Sequence, residues 1–168
     1  MSEKVIFLVE DNANDEELTL RALRKSKIVN EVVVARDGAE ALDYLFARGA
    51  YAARDPLDLP EIVLLDLKLP KVSGLEVLRQ IRTAEATKLL PVIMLTSSTE
   101  DTDLVSGYRN GANSYVVKPV DFTQFSEAVR QLGMYWLVIN KRPPPGVTVR
   151  VPALAGWTDD ESVTRARH

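Results

Sequence analysis

Cysteine is absent from the 168 residues, which excludes disulfides, thiolate metal sites and cysteine nucleophiles. A basic surplus is absent too: 21 lysines and arginines face 24 aspartates and glutamates, for a formal charge of −3. Nucleic acid or an acidic membrane would find no electrostatic footing. No apolar stretch approaches the roughly 20 residues that span a bilayer. Met1-Ser2-Glu3-Lys4 leads straight into a strand-like segment, with no export signal. No glycine-rich loop ends in Gly-Lys-Ser/Thr, so a P-loop kinase is excluded. A cytoplasmic protein with one well-buried domain is the expectation, since the length suffices for one core and is short for two.

What is present is an alternation of buried strands and amphipathic helices. Strands are expected at about 5–10, 31–36, 62–66, 92–96 and 114–118, each a β-branched or aliphatic run. Helices are expected between them, the first opened by an Asn14/Glu17 capping box and the third carrying Leu75, Leu78 and Ile81 or Arg82 inward. Gly111 reads as the residue that ends the fourth helix, and the last helix runs from about Phe122 to near Ile139. Five βα units imply an α/β fold: a doubly wound, five-stranded parallel sheet with helices on both faces. Residues 49–61 form an unusually long connection and read as an inserted loop. Pro143-Pro144-Pro145-Gly146 ends the last helix, leaving 141–168 as a tail.

The chemistry gathers at strand ends, where open α/β sheets place their ligands. Ile62-Val63-Leu64-Leu65 stops at Asp66, Val5 to Val9 stops at Glu10-Asp11, Val92 to Leu95 stops at Thr96, and strand five stops at Lys118. Singly, each has a plain structural reading; Glu10-Asp11, for instance, could simply cap the first helix. Together they supply a nucleophilic carboxylate, an acidic cluster that needs a cation such as Mg²⁺, an ammonium and a hydroxyl donor. That set suits phosphoryl transfer. Lys118-Pro119 is the one common setting for a cis peptide bond, which would turn the lysine inward.

The strings VEDN (9–12), LLDLKLP (64–70) with Gly74, MLTSS (94–98) and GANSYVVKP (111–119) closely resemble the receiver domain of two-component response regulators. The match is ordered over about residues 4–139. The resemblance implies a flavodoxin-like fold with strand order 2-1-3-4-5 and a receiver over 1–140. It makes Asp66 the phosphoacceptor for a histidine kinase phosphohistidine. Asp11 would ligate Mg²⁺ directly, Glu10 largely through water, with Asp66 and the Lys68 backbone carbonyl completing the protein ligands. Thr96 and Lys118 would hold phosphoryl oxygens, Tyr115 would be the switch aromatic that turns inward with Thr96, and Pro119 would follow a cis bond. Glu10 stands where Asp is usual, Ser114 where many receivers have Asp and Ser97 where many have Ala. Lys68 and Ser98 border the path of the hydrolytic water.

Such a protein is a signalling phosphoacceptor, with self-phosphorylation and autodephosphorylation as its only chemistry. Haloacid dehalogenase-type phosphatases also use a strand-end Asp with Mg²⁺, but need a second Asp two residues on for proton transfer. That position is Lys68.

The tail is too short for a DNA-binding output domain, so the output must be protein contact, phosphate relay or altered assembly. Phe122, Phe125, Val129, Leu132, Trp136 and Ile139 form one stripe, and Met134-Tyr135-Trp136-Leu137-Val138-Ile139 is apolar all round. The expectation is a homodimer through Tyr135, Trp136, Val138 and Ile139, with Gly133 allowing close approach of another backbone. Val147, Val149 and Val151 alternate as a strand would, so the tail is either a partner-binding arm or disordered. The inserted loop, the Tyr135-Trp136-Leu137-Val138 helix end and the proline run also resemble the stand-alone regulators that pair with bacterial phytochrome kinases. The alternative is a relay intermediate or phosphate sink serving a non-phytochrome kinase.

Overall fold

The computed structural model describes residues 5–28, 30–97, 101–118, 121–139 and 141. Five strands are present: β1 (Ile6–Val9), β2 (Val32–Ala35), β3 (Ile62–Leu65), β4 (Val92–Thr96) and β5 (Ser114–Val117). They form one parallel sheet in the order β2-β1-β3-β4-β5. Five α-helices alternate with them: α1 (Ala13–Lys25), α2 (Gly38–Leu45), α3 (Gly74–Thr83), α4 (Asp101–Arg109) and α5 (Phe122–Gly133).

Alternation along the strands divides the interior in two, because successive side chains point to opposite faces. Phe7, Val9, Val63, Leu65, Val92 and Met94 meet α2 and α3 on one face. Ile6, Leu8, Ile62, Leu64, Ile93 and Leu95 meet α1 and α5 on the other. A sheet buried on both faces needs strands apolar throughout, which β1 and β3 are, as is β4 up to Leu95.

Several local expectations need correction. The Asn14/Glu17 capping box does not form. Asn12 caps α1, its side chain accepting from the Asn14 and Asp15 amides at 2.9 and 3.0 Å, and Glu17 instead pairs with Arg24 on the surface. An Asx acceptor directly after the strand satisfies the orphan amides one half-turn sooner. In α3 the inward residue is Ile81, whereas Arg82 lies outside the core. Gly111 ends α4 as expected, at φ +97°, with Ala112 N–H donating to Gly107 O and Gly111 N–H to Tyr108 O.

The end of α5 departs most. Met134–Ile139 is a π turn, which shifts the inward phase by one residue. The buried series is Val129, Gly133, Leu137, and Trp136 is only half-buried. Gly133 does allow a close approach, but of Ile28 in the same chain: a Cβ there would lie 2.3 Å from Ile28 Cδ1.

The inserted loop is tied down. It opens with a 3-10 turn, Gly49–Tyr51, whose Tyr51 hydroxyl donates to Glu40 Oε1 at 3.1 Å. The Arg54 guanidinium stacks 4.0 Å over the Tyr44 ring and donates to the carbonyls of Tyr44 and Asp58. Pro119, the Ile139 side chain and the tail beyond Lys141 lie outside the described residues, as do the expectations placed on them.

Candidate functional site

Register builds the site. Val9 of β1 lies opposite Leu65 of β3, so Glu10 and Asp66 leave the sheet side by side. The Asp66 amide donates back to Val9 O at 3.1 Å, and Glu10 N–H to Ala35 O at 3.0 Å, which holds both strand ends in line. Past Asp66 the chain doubles back on itself. A Cβ on Gly74 would sit 2.1 Å from Asp66 O, so only glycine admits this approach, and Gly74 N–H closes it on Leu67 O at 2.9 Å.

Glu10, Asp11 and Asp66 each offer a carboxylate oxygen within 4.8 Å of the others. Lys118, just past β5, is fastened by its own amide to Thr96 O at 2.7 Å. Its ammonium enters the cluster, 2.6 Å from Glu10 Oε2, 3.1 Å from Asp15 Oδ2 and 3.5 Å from Asp66 Oδ2. Thr96 is buried at the end of β4, opposite Val117 and so one residue from Lys118. Lys68 is exposed, and its amide points at Asp66 Oδ1 from 3.4 Å. Tyr115 sits opposite Met94, packed against the α2/α3 core, and its ring fills the space that Gly107 leaves on α4. The sequence-derived set is thus brought together except for Tyr115, which lies one layer back, and Pro119, which lies outside the described residues.

Asp15 is the member that sequence reasoning missed. Capping by Asn12 makes it the third residue of α1, where its side chain faces back over the strand ends. A cap two residues later, at Asn14, makes Asp15 the first residue of the helix instead of the third and turns it to a different side of the axis. A signal for it exists: Asn12 followed three residues later by an acidic side chain is itself a capping pattern.

The electrostatics are unbalanced. Glu10 is 2 % exposed, and burial pushes its carboxyl up to about 7; the charge of Asp66 adds to this, and the hydrogen bond from Lys118 opposes it. Burial presses the Lys118 ammonium down, but its hydrogen bonds to Glu10 and Asp15 and the charges of Asp66 and Glu10 outweigh that and hold it above its ordinary value. Three carboxylates thus contact one lysine, and Asp11 joins two of them in the acidic cluster. Hard oxygen donors in formal excess over cation fit a divalent ion such as Mg²⁺ or Mn²⁺.

The response regulator receiver domain matches residues 6–130. The chain is 42% identical over 141 residues to the probable methanogenesis regulatory protein FilR2 of Methanothrix harundinacea, covering 84% of this chain and 88% of that protein. It is 35% identical over 134 residues to response regulator Rcp1 of Synechocystis, covering 80% and 89%. The Mn(2+)-bound crystal structure of Rcp1 has a TM-score of 0.76 at 34% identity, over 84% of this chain and 99% of that one. The bacteriophytochrome response regulator RtBRR is 55% identical with a TM-score of 0.69, over 85% and 86%. Among the described residues no helix is long and apolar enough to cross a membrane. An acidic pocket at the strand ends of a 2-1-3-4-5 sheet, with such relatives matching 80–85% of the chain, places it in the response regulator receiver family, related to the stand-alone phytochrome response regulators.

Proposed function

We propose that Asp66 is the phosphoacceptor, taking a phosphoryl group from the phosphohistidine of a sensor kinase in the cytoplasm. The observation that carries this is the placement of its carboxylate, beside the oxygens of Glu10 and Asp11 and 3.5 Å from the Lys118 ammonium. An Asp66 oxygen forms the new P–O bond as the P–N bond breaks. The electron pair stays on the imidazole nitrogen, which takes up a proton. Glu10, Asp11, Asp66 and the Lys68 carbonyl would hold Mg²⁺, which when bound neutralises the carboxylates and the transferring oxygens. Lys118 and the Thr96 hydroxyl would hold the phosphoryl oxygens afterwards.

Lys68, where a phosphatase needs its proton-transferring Asp, makes the phosphorylated form a state and not a turnover intermediate. Tyr115 would transmit it. Its ring abuts Gly107 and lies 6.4 Å from Tyr108, which is exposed on α4 beside Leu104 and Val105. RtBRR's description as a bacteriophytochrome regulator, at 55% identity, supports a bacteriophytochrome as the kinase. The 42% identity to FilR2 favours, as the second reading, a relay or sink for another kinase. Exposed Met134, Tyr135 and Val138 on the π turn support a homodimer, to which the half-buried Trp136 contributes less.

Acetyl phosphate with Mg²⁺ tests the core of this. Intact-protein mass spectrometry should show one phosphoryl adduct, absent in Asp66→Asn and absent when the metal is chelated. Label retained by Asp66→Asn would remove Asp66 from the role. Phosphotransfer from a bacteriophytochrome kinase, set against other kinases, distinguishes the two partner readings.

A further inference from the structure

Lys118 is shared among three carboxylates, and only two have a duty in the chemistry just described. Asp66 is the reacting group, and Glu10 belongs to the metal-binding set. Asp15 lies outside that set, yet its Oδ2 is nearer the ammonium than Asp66 is, at 3.1 against 3.5 Å. Its backbone is fixed by the cap of α1: its amide donates to Asn12 Oδ1 at 3.0 Å and its carbonyl accepts from the Thr19 hydroxyl at 2.8 Å. A carboxylate on the rigid first turn of a helix therefore faces an ammonium on a flexible four-carbon stem.

The geometry points to Asp15 as a positioning residue for phosphorylation, one that draws Lys118 aside from Asp66 before transfer and competes with the phosphoryl oxygens for it during transfer. This role rests on the reading of Asp66 as the phosphoacceptor. An ammonium has three N–H donors, and Glu10, Asp15 and Asp66 occupy all three. A donor held by Asp15 is withheld from the charge that develops on the phosphoryl group. Asp15→Asn keeps the shape and one acceptor but loses the charge, so it releases Lys118 towards Asp66.

The test is the rate of labelling by acetyl phosphate and Mg²⁺ in the full chain, read by mass spectrometry. Asp15→Asn should label faster by about 3- to 10-fold, the scale of weakening one charge-assisted hydrogen bond. Asp15→Glu, which restores the charge, should return towards the wild-type rate. Glu16→Gln is the control. It removes one negative charge from the next residue of the same turn, a side chain paired with Arg36 at 3.0 Å and not with Lys118, so its rate should stay at the wild-type value. Equal acceleration by Glu16→Gln would reduce the effect to the general field on an anionic donor and overturn the role. So would an Asp15→Asn rate at or below wild type. Wild type that fails to label at all overturns the phosphoacceptor reading itself, and this role with it.

Discussion

Glu10 is a residue whose chemistry the fold shifts through burial. Its carboxyl, ordinarily near 4.5, is pushed up to about 7, first by burial. A raised carboxyl binds a proton more tightly in the folded state than in the unfolded one. Its contribution to stability is therefore full below about pH 4.5 and is lost as pH rises through 7. The displacement corresponds to about 3 kcal/mol. In urea titrations of the metal-free protein, wild type should lose stability against Glu10→Gln between pH 5 and 8, and Mg²⁺ at pH 8 should restore more in wild type than in the variant. Parallel pH profiles for the two proteins would disprove it. The site carboxylates are readable in the sequence because each follows an unbroken apolar run, whose end fixes its position on the sheet. Asp15 is not, because its place depends on where α1 begins, and two residues' difference in the cap decides whether it faces the sheet.

Arg82 shows the same limit at the level of an element. Spacing alone makes it one of two candidates for the inward stripe of α3. The structure gives it a different role: its guanidinium donates to Gly111 O at 2.7 Å, Leu90 O at 2.6 Å, Lys88 O at 3.1 Å and Asn113 Oδ1 at 2.6 Å. Those acceptors belong to the connection between α3 and β4 and to that between α4 and β5, so one side chain fastens two connections. No carboxylate is among the four, and burial lowers the guanidinium to about 10. Arg82→Met keeps the length and strands several carbonyls; the expected loss is about 2–4 kcal/mol in urea unfolding, and a loss within about 0.5 kcal/mol, the size of an ordinary surface change, would refute the clamp. The phase of the α5 end is equally hidden. A periodicity of 3.6 assumes one helix geometry throughout, and the π turn at Met134–Ile139 moves the buried position to Leu137.

For the whole molecule, the parallel sheet and the two-faced core follow from apolar runs and right-handed crossovers, because those depend on pattern and not on any one contact; the order of strands comes only with the resemblance to receiver domains. Assembly depends on what the fold leaves uncovered. The π turn leaves Val138 71% exposed, Tyr135 49% and Met134 46%. On the proposed homodimer, Val138→Asp should shift the protein to monomer in sedimentation velocity, whereas Trp136→Ala should act mainly on stability, since that ring packs on its own core. An unchanged dimer in Val138→Asp would exclude the turn as the contact.

The crowding of carboxylates around Lys118 has one more consequence. Glu10, Asp11, Asp15 and Asp66 against one lysine sum formally to −3, which equals the charge of the entire chain and leaves everything else neutral in sum. Replacing the single charge of Asp66 by the roughly two of a phosphoryl group alters this pocket by about one elementary charge. Salt attenuates such a change within about 8 Å. A partner docking further away than that would feel little of it, so on the phosphoacceptor role proposed for Asp66 it would have to read the phosphorylated state through contact.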